Sequence, residues 1–361
     1  MAFRAHNFNA GPAALPLEVL EIAQSELTDF AGSGMSVIEM SHRGKEFDDV
    51  NNETNAKIRE LMGISDDYEV LFMPGGASMQ FCLIPMNFIR EGKSADFINT
   101  GSWASKAIKE AKVQKNVNVL WDDKDENYIR CPKASEIKVN PDAEYVHICE
   151  NETIGGIKYF ELPECGNVPL IADMSSCIMS EVIDVNKYAM IYAGAQKNIG
   201  PSGMALCIIR KDLLERVPEN ICNFFKYTTH AKNASMYNTP NTWAIYMVGL
   251  VCDHLKKMGG IAAMEKVNRE KAKLVYDVID SSDFWRCPVD KASRSIMNIV
   301  WRLPNEDLEK KFVAEAKANH MIGLKGHRSV GGLRASIYNA VPKASVEALV
   351  AFMKEFEKNN G

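Results

Sequence analysis

The stretch YAGAQKNIGPSGMAL, residues 192–206, decides the fold. Its start closes one short apolar run, 190–194, and its end opens another, 205–210, with Lys197 between them. Upstream, Asp173 ends a similar run, VPLIAD. Short apolar runs that alternate with helical patterns suit strands buried on both faces of a mostly parallel sheet. Working outward, the same reading gives strands at 69–73, 94–99, 117–121, 145–149, 170–173, 190–194 and 205–210. In such sheets, chemistry belongs beyond the strand carboxyl ends. Gly75, Asp173 and Lys197 all fall at or just past those ends.

This alternation runs from about residue 16 to 260 and ends in an apolar helix, 239–260. Thr239 is the expected cap and Pro240 suits the first turn. Lys256 and Lys257 favour the C-terminal dipole, and Gly259 stops the helix. Next come a charged helix at 262–279, strands around 295–301 and 333–338, and a closing helix near 345–357. That last helix places Val346, Leu349, Val350, Met353 and Phe356 on one face. The expected class is α/β, with a large domain over 16–260. A smaller α+β domain is formed by 1–15 with 261–361.

At 361 residues the chain is long for one core, so two domains are the default. Its charge of −5 and its lack of a basic, aromatic-rich stripe argue against nucleic acid and anionic membranes as partners. The apolar run 243–252 is too short to span a bilayer, and the first 16 residues lack the apolar core of a signal peptide. Nine cysteines without a C-x-x-C pair imply free thiols in a reducing cytoplasm. Seven histidines show no ligand spacing, so no metal is expected.

An amine and a carboxylate just past two strand ends are what pyridoxal phosphate requires. The lysine forms a Schiff base with the cofactor aldehyde, and the carboxylate keeps the pyridine nitrogen protonated. Taken alone, Lys197 could equally be a solvated loop amine and Asp173 a helix cap. VLFMPGGASMQF, residues 70–81, reads as strand, glycine turn and helix, with amides suited to a phosphate. It lacks the lysine of a Walker loop and the spacing of a dinucleotide fingerprint. Trp103 in NTGSWAS offers a stacking face, and Thr153 in ENETIGG a hydroxyl for a phenolate oxygen. In GHRSVGGLRASIYN, residues 326–339, alternation sends Leu333, Ala335 and Ile337 to the core and Arg334 the other way. His327 and Arg328 lie just upstream, and His42 with Arg43 form a second basic pair. Five such groups in an acidic protein suggest a substrate with two or three negative charges.

Assembled, FNAGPAALP, SHRGKEF, PGGASMQF, NTGSWAS, ENETIGG, ADMSS, AGAQKNIGPSG, NTPNTW and GHRSVGGLRASIYNA run from residue 8 to 340. This set resembles the phosphoserine aminotransferase family, class-V aminotransferases of the fold-type-I pyridoxal phosphate enzymes. The resemblance implies that Lys197 is the Schiff-base lysine and Asp173 the pyridinium partner. It further implies that Trp103 stacks on the ring, Thr153 bonds its edge, and Gly76, Ala77 and Gln196 hold the phosphate. Asn238 and Thr239 would reach the phosphate of a neighbouring subunit's cofactor, making a homodimer. His42, Arg43, His327 and Arg328 would surround the substrate phosphate, and Arg334 would bind its α-carboxylate. Some family members carry arginine where this chain has Ala77, so a charge available to them is missing here.

The implied reaction moves the amino group of L-glutamate to 3-phosphonooxypyruvate, a step of serine biosynthesis. The resemblance leaves open whether 4-phosphonooxy-threonine, of vitamin B6 synthesis, is also a substrate. Within the fold the rivals are a serine–glyoxylate type of aminotransferase and a cysteine desulfurase. The latter needs a mobile cysteine, for which Cys287 is the late-chain candidate. A noncatalytic scaffold and a nicotinamide dehydrogenase stand outside that class. The second is weakened by the missing glycine fingerprint.

Overall fold

The centre of the molecule is a seven-stranded sheet, seen in a computed structural model that describes residues 4–361. Residues 1–3, part of the segment expected in the smaller domain, lie outside the described residues. The strands are β1 (Tyr68–Pro74), β2 (Ser94–Asn99), β3 (Asn116–Asp122), β4 (Val146–Cys149), β5 (Leu170–Asp173), β6 (Met190–Gly194) and β7 (Met204–Arg210). Their spatial order is β1-β7-β6-β5-β4-β2-β3. All seven lie where the apolar runs place them. Only β7 runs against the rest, pairing antiparallel with both β1 and β6. The sheet is therefore mostly parallel, and the carboxyl ends of six strands point one way.

Both faces are buried, which explains the continuous apolar runs. In β7, Leu206 and Ile208 join one core while Ala205, Cys207 and Ile209 join the other. The same alternation separates Ile191 from Met190 and Tyr192 in β6. Helices Gly76–Phe88 and Ser102–Gln114 cover the second face, through Phe81, Leu83, Ile84, Phe88, Ala107 and Ala111. Helices Lys45–Met62 and Thr242–Lys257 cover the first, through Val50, Ile58, Val248, Val251 and Leu255.

The first core continues without a break into the C-terminal elements. Helix Gly260–Ile279 is followed by an antiparallel pair, β8 (Asn298–Trp301) and β9 (Leu333–Ser336), and by helix Lys343–Asn360. Val346, Leu349, Met353 and Phe356 of that last helix are fully buried, and Val350 is half-buried. One helix start differs from expectation. The apolar helix begins at Thr242, and its cap is Asn241, whose side chain accepts the Ala244 N–H at 3.0 Å. Thr239 and Pro240 precede the helix. An asparagine three residues before a free amide caps better than a threonine separated from the helix by proline.

Candidate active site

The register of β5 and β6 sets Asp173 opposite Tyr192, and a turn after Gly194 carries Lys197 back over the strand ends. Both groups are buried, at 4% and 8% exposure. Burial pushes the Lys197 amine down from its usual value, opposed by the nearby Asp173 charge. It pushes the Asp173 carboxyl up, opposed by Lys197 and by hydrogen bonds from Ser175. Asp173 Oδ1 accepts the Ser175 hydroxyl at 2.6 Å and the Ser175 N–H at 2.9 Å. Oδ2 takes part in neither bond.

Lys197 Nζ donates to Thr153 Oγ1 at 2.6 Å and lies 4.7 Å from the centroid of the Trp103 ring. Two residues 44 positions apart in sequence are thus joined at one amine. Thr153 follows the short strand Asn151–Glu152, which pairs with Ile157–Lys158 in a hairpin just beyond β4. Trp103 sits in the first turn of helix Ser102–Gln114, just beyond β2. The arrangement offers a buried amine of reduced basicity, an acid and a flat ring in one place. Such a set can act as nucleophile and base toward a carbonyl compound.

At the end of β1, Gly75 adopts φ 81° as the N-cap of helix Gly76–Phe88, which has no side-chain cap. A Cβ on Gly75 would meet Met79 at 2.8 Å, so glycine is required there on both steric and backbone grounds. Gly76 and Ala77 therefore open a helix whose first amides have no intrahelical partner, a ready anion site. Gln196 stands in the Lys197 turn, with Oε1 buried and unpartnered.

Arg334 lies in β9 between buried Leu333 and Ala335, and its Nη1 donates to the Thr153 carbonyl at 3.1 Å. Burial pulls His327 below its usual value, as do the positive charges of Arg334, Lys106 and Arg328. Arg334 thus lies against Thr153, and Lys106 lies against Trp103, its amine 3.9 Å from the ring centroid. Among the described residues no bond joins His42 or Arg43 to the Lys197 group, and the Arg43 N–H donates locally to Ser41 Oγ. His42 Nε2 is buried and unpartnered. Asn238 and Thr239 line a small cavity with Pro74, Gly203 and Asn241 where β1 meets β7. A larger cavity of about 530 Å³, lined by Glu150, Lys158, Glu181 and Tyr188, includes none of the candidate residues.

Two neighbours of the site escaped the sequence. Glu152 is wholly buried, and its carboxylate accepts the N–H groups of Trp103 and Ala104. Burial pushes it up to about 7 against those bonds. It stands beside Thr153 in ENETIGG, yet no local spacing marks a partner 49 residues away. Lys106 lies one helical turn from Trp103, and that spacing was the available signal.

Pyridoxal phosphate suits the donors present. Among the described residues Trp103 Nε1 and Gln196 Oε1 are buried without a partner, and the chain also supplies a free helix start, a buried acid and a buried amine. Sheet order, the antiparallel β7 and this acid–lysine pair define a fold-type-I pyridoxal phosphate transferase. The model of the class-V aminotransferases matches residues 5–349. The chain belongs to that family, and within it to the phosphoserine aminotransferases. It is 59% identical to the phosphoserine aminotransferase of Desulfatibacillum aliphaticivorans, over the full length of both chains. It superposes on the solved phosphoserine aminotransferase of Bacillus circulans subsp. alkalophilus with TM-score 0.97 and 51% identity, covering 99% of each chain. The pyridoxal-phosphate-bound enzyme of Trichomonas vaginalis gives 0.93 and 42%, covering 97% of this chain and 100% of that one.

Proposed function

We propose that this chain moves the amino group of L-glutamate to 3-phosphonooxypyruvate, giving O-phospho-L-serine and 2-oxoglutarate. The observation that carries this reading is Lys197: a buried amine held by Thr153 against the Trp103 ring, with Arg334 on the Thr153 carbonyl and Lys106 over the same ring. Pyridoxal phosphate supplies an aldehyde for the amino group and a ring that draws electrons from the substrate α-carbon. In our reading Gly76, Ala77 and Gln196 bind its phosphate, Trp103 stacks on it, and Asp173 faces its ring nitrogen. Ala77 contributes a backbone amide only, so the helix start replaces the charge of an arginine. Lys197 then takes and returns the α-proton of the substrate. Arg334 binds the α-carboxylate. The basic groups hold phosphate in one half-reaction and the second carboxylate of glutamate in the other. Residues 16–260 would carry the cofactor, with 1–15 and 261–361 as the smaller domain, and the enzyme would work in the cytoplasm.

Substrate choice tests this reading. The four basic residues His42, Arg43, His327 and Arg328 should make phosphoserine a far better substrate than serine. Arg43 and Arg328 are exposed in the single chain, so the preference requires the dimeric, substrate-filled pocket to bury them. Leaving them unpaired there would cost several kcal/mol, by analogy with the roughly 3–5 kcal/mol lost when a buried ion pair is broken. The expected kcat/KM preference is about a hundredfold to several-thousandfold. Arg328→Ala should weaken phosphoserine and glutamate more than alanine, whereas Arg334→Ala should weaken all three. Equal kcat/KM for serine and phosphoserine would favour a serine–glyoxylate enzyme.

The active unit is proposed to be a homodimer. Asn238 and Thr239 precede helix Thr242–Lys257 and touch none of the Lys197 group among the described residues. Their place at the rim supports a role toward the cofactor phosphate of a second subunit. His42 and Arg43, which make no bond to the Lys197 group among the described residues, would on this reading complete a partner's substrate pocket. Analytical ultracentrifugation should find a dimer in the cofactor-loaded enzyme; a fully active monomer would exclude the shared site.

A further inference from the structure

We propose that Glu152 is a positioning residue that fixes Trp103 and Thr153 relative to each other around the Lys197 amine. Helix Ser102–Gln114 has no side-chain cap of its own, because the residue before it is Gly101. Its first amides are satisfied instead by a carboxylate delivered from another element. The Trp103 N–H lies 3.2 and 3.0 Å from the two Glu152 oxygens, and the Ala104 N–H lies 2.8 Å from one of them. A helix start favours negative charge there, and three short contacts hold the carboxylate in one orientation.

Gly101 makes this approach possible. A Cβ at that position would stand 2.7 Å from Glu152 Cδ, closer than any side chain tolerates. The other end of the brace is equally fixed. Asn151, the neighbour of Glu152, donates from Nδ2 to Ser176 Oγ at 2.7 Å and to Asn298 Oδ1 at 2.8 Å. Its Oδ1 accepts the Ser295 hydroxyl at 2.6 Å. Thr153, on the other side, is held through its carbonyl by Arg334. The hairpin is thus anchored to the segment before β8, to β8 itself and to β9, and Glu152 passes that frame on to Trp103. Without Glu152 there, a serine or aspartate at position 101 would cap the helix as well. A fully buried carboxylate is costly, and what it adds is a rigid link between two groups that both face Lys197.

This inference rests on the reading that Trp103 and Thr153 flank the cofactor. Two independent variants test it. Glu152→Gln keeps the shape but turns one acceptor into a donor that opposes the backbone amides. Gly101→Ala keeps the carboxylate and displaces it, so it carries the test if the first variant fails to fold. Amide hydrogen exchange of the 100–106 peptide is measured in the cofactor-free protein. Visible circular dichroism of the bound cofactor, kcat and KM for phosphoserine are measured in the loaded enzyme. The expected result is exchange at least about tenfold faster and a diminished visible band. With it, kcat falls about 10- to 100-fold, as for a misplacement near 1 Å, while KM changes less than about threefold. Unchanged exchange in both variants overturns the brace. A variant with normal dichroism and normal kcat per bound cofactor, whatever its melting temperature, overturns the positioning role. A wild-type protein without a visible band instead overturns the functional reading on which the proposal rests.

Discussion

Replacing Lys197 by alanine is expected to lower transamination turnover by about four orders of magnitude or more while leaving the fold intact. On the proposed function two roles would be lost at one atom: the nucleophilic amine and the base that moves the α-proton. General acid–base groups alone contribute roughly 10²–10⁴-fold, and a nucleophile adds to that. A 10⁴-fold loss corresponds to about 5.5 kcal/mol of barrier. The fold should survive because, among the described residues, the Lys197 amine donates to one protein group, Thr153 Oγ1, whose oxygen is left short of a single donor. Removing a buried amine whose basicity burial already depresses also relieves a desolvation cost. Steady-state rates with phosphoserine and 2-oxoglutarate, beside a thermal melt, measure both halves. A folded Lys197→Ala protein turning over at the wild-type rate would remove Lys197 from the chemistry.

Much of this site can be read from sequence because its main groups sit at strand ends, and strands announce themselves by local apolar runs. Asp173 and Lys197 follow β5 and β6, which are adjacent in the sheet, so locating the runs located the pair. The direction of β7 was not legible. A strand buried on both faces shows the same continuous apolar pattern whichever way it runs. The Asn241 cap was missed for a local reason, since Thr239, Asn241 and Thr242 are all plausible caps and only geometry selects one. Glu152 escaped because its meaning lies in contacts at long sequence distance, whereas Lys106 stands three residues from Trp103 and was legible from that spacing. Arg334 reaches Thr153 across 181 residues, and nothing in either segment names the other. Alternation in β9 did show that Arg334 leaves the core, but not what it meets there.

Asp173→Asn should keep the bound cofactor yet lose most of its turnover, because the substitution changes one atom's hydrogen-bonding sense and little else. Asp173 Oδ1 accepts the N–H and hydroxyl of Ser175, and an asparagine oxygen can accept the same two bonds. The side chain therefore keeps its orientation at the end of β5. Oδ2 becomes an amide nitrogen that donates, so it cannot hold a proton on a ring nitrogen. On the proposed function, a bound cofactor ring would then lack the positive charge with which it would draw electrons from the substrate α-carbon. Breaking a buried charge pair costs about 3–5 kcal/mol, which predicts a kcat loss of about a hundredfold to several-thousandfold. Stability should change little or rise slightly, since burial already penalises the ionised carboxylate that the amide replaces. Visible absorbance reads cofactor retention, a thermal melt reads the fold, and kcat reads the chemistry. A variant that binds cofactor, melts normally and turns over at the full rate would show that Asp173 does not hold the ring nitrogen.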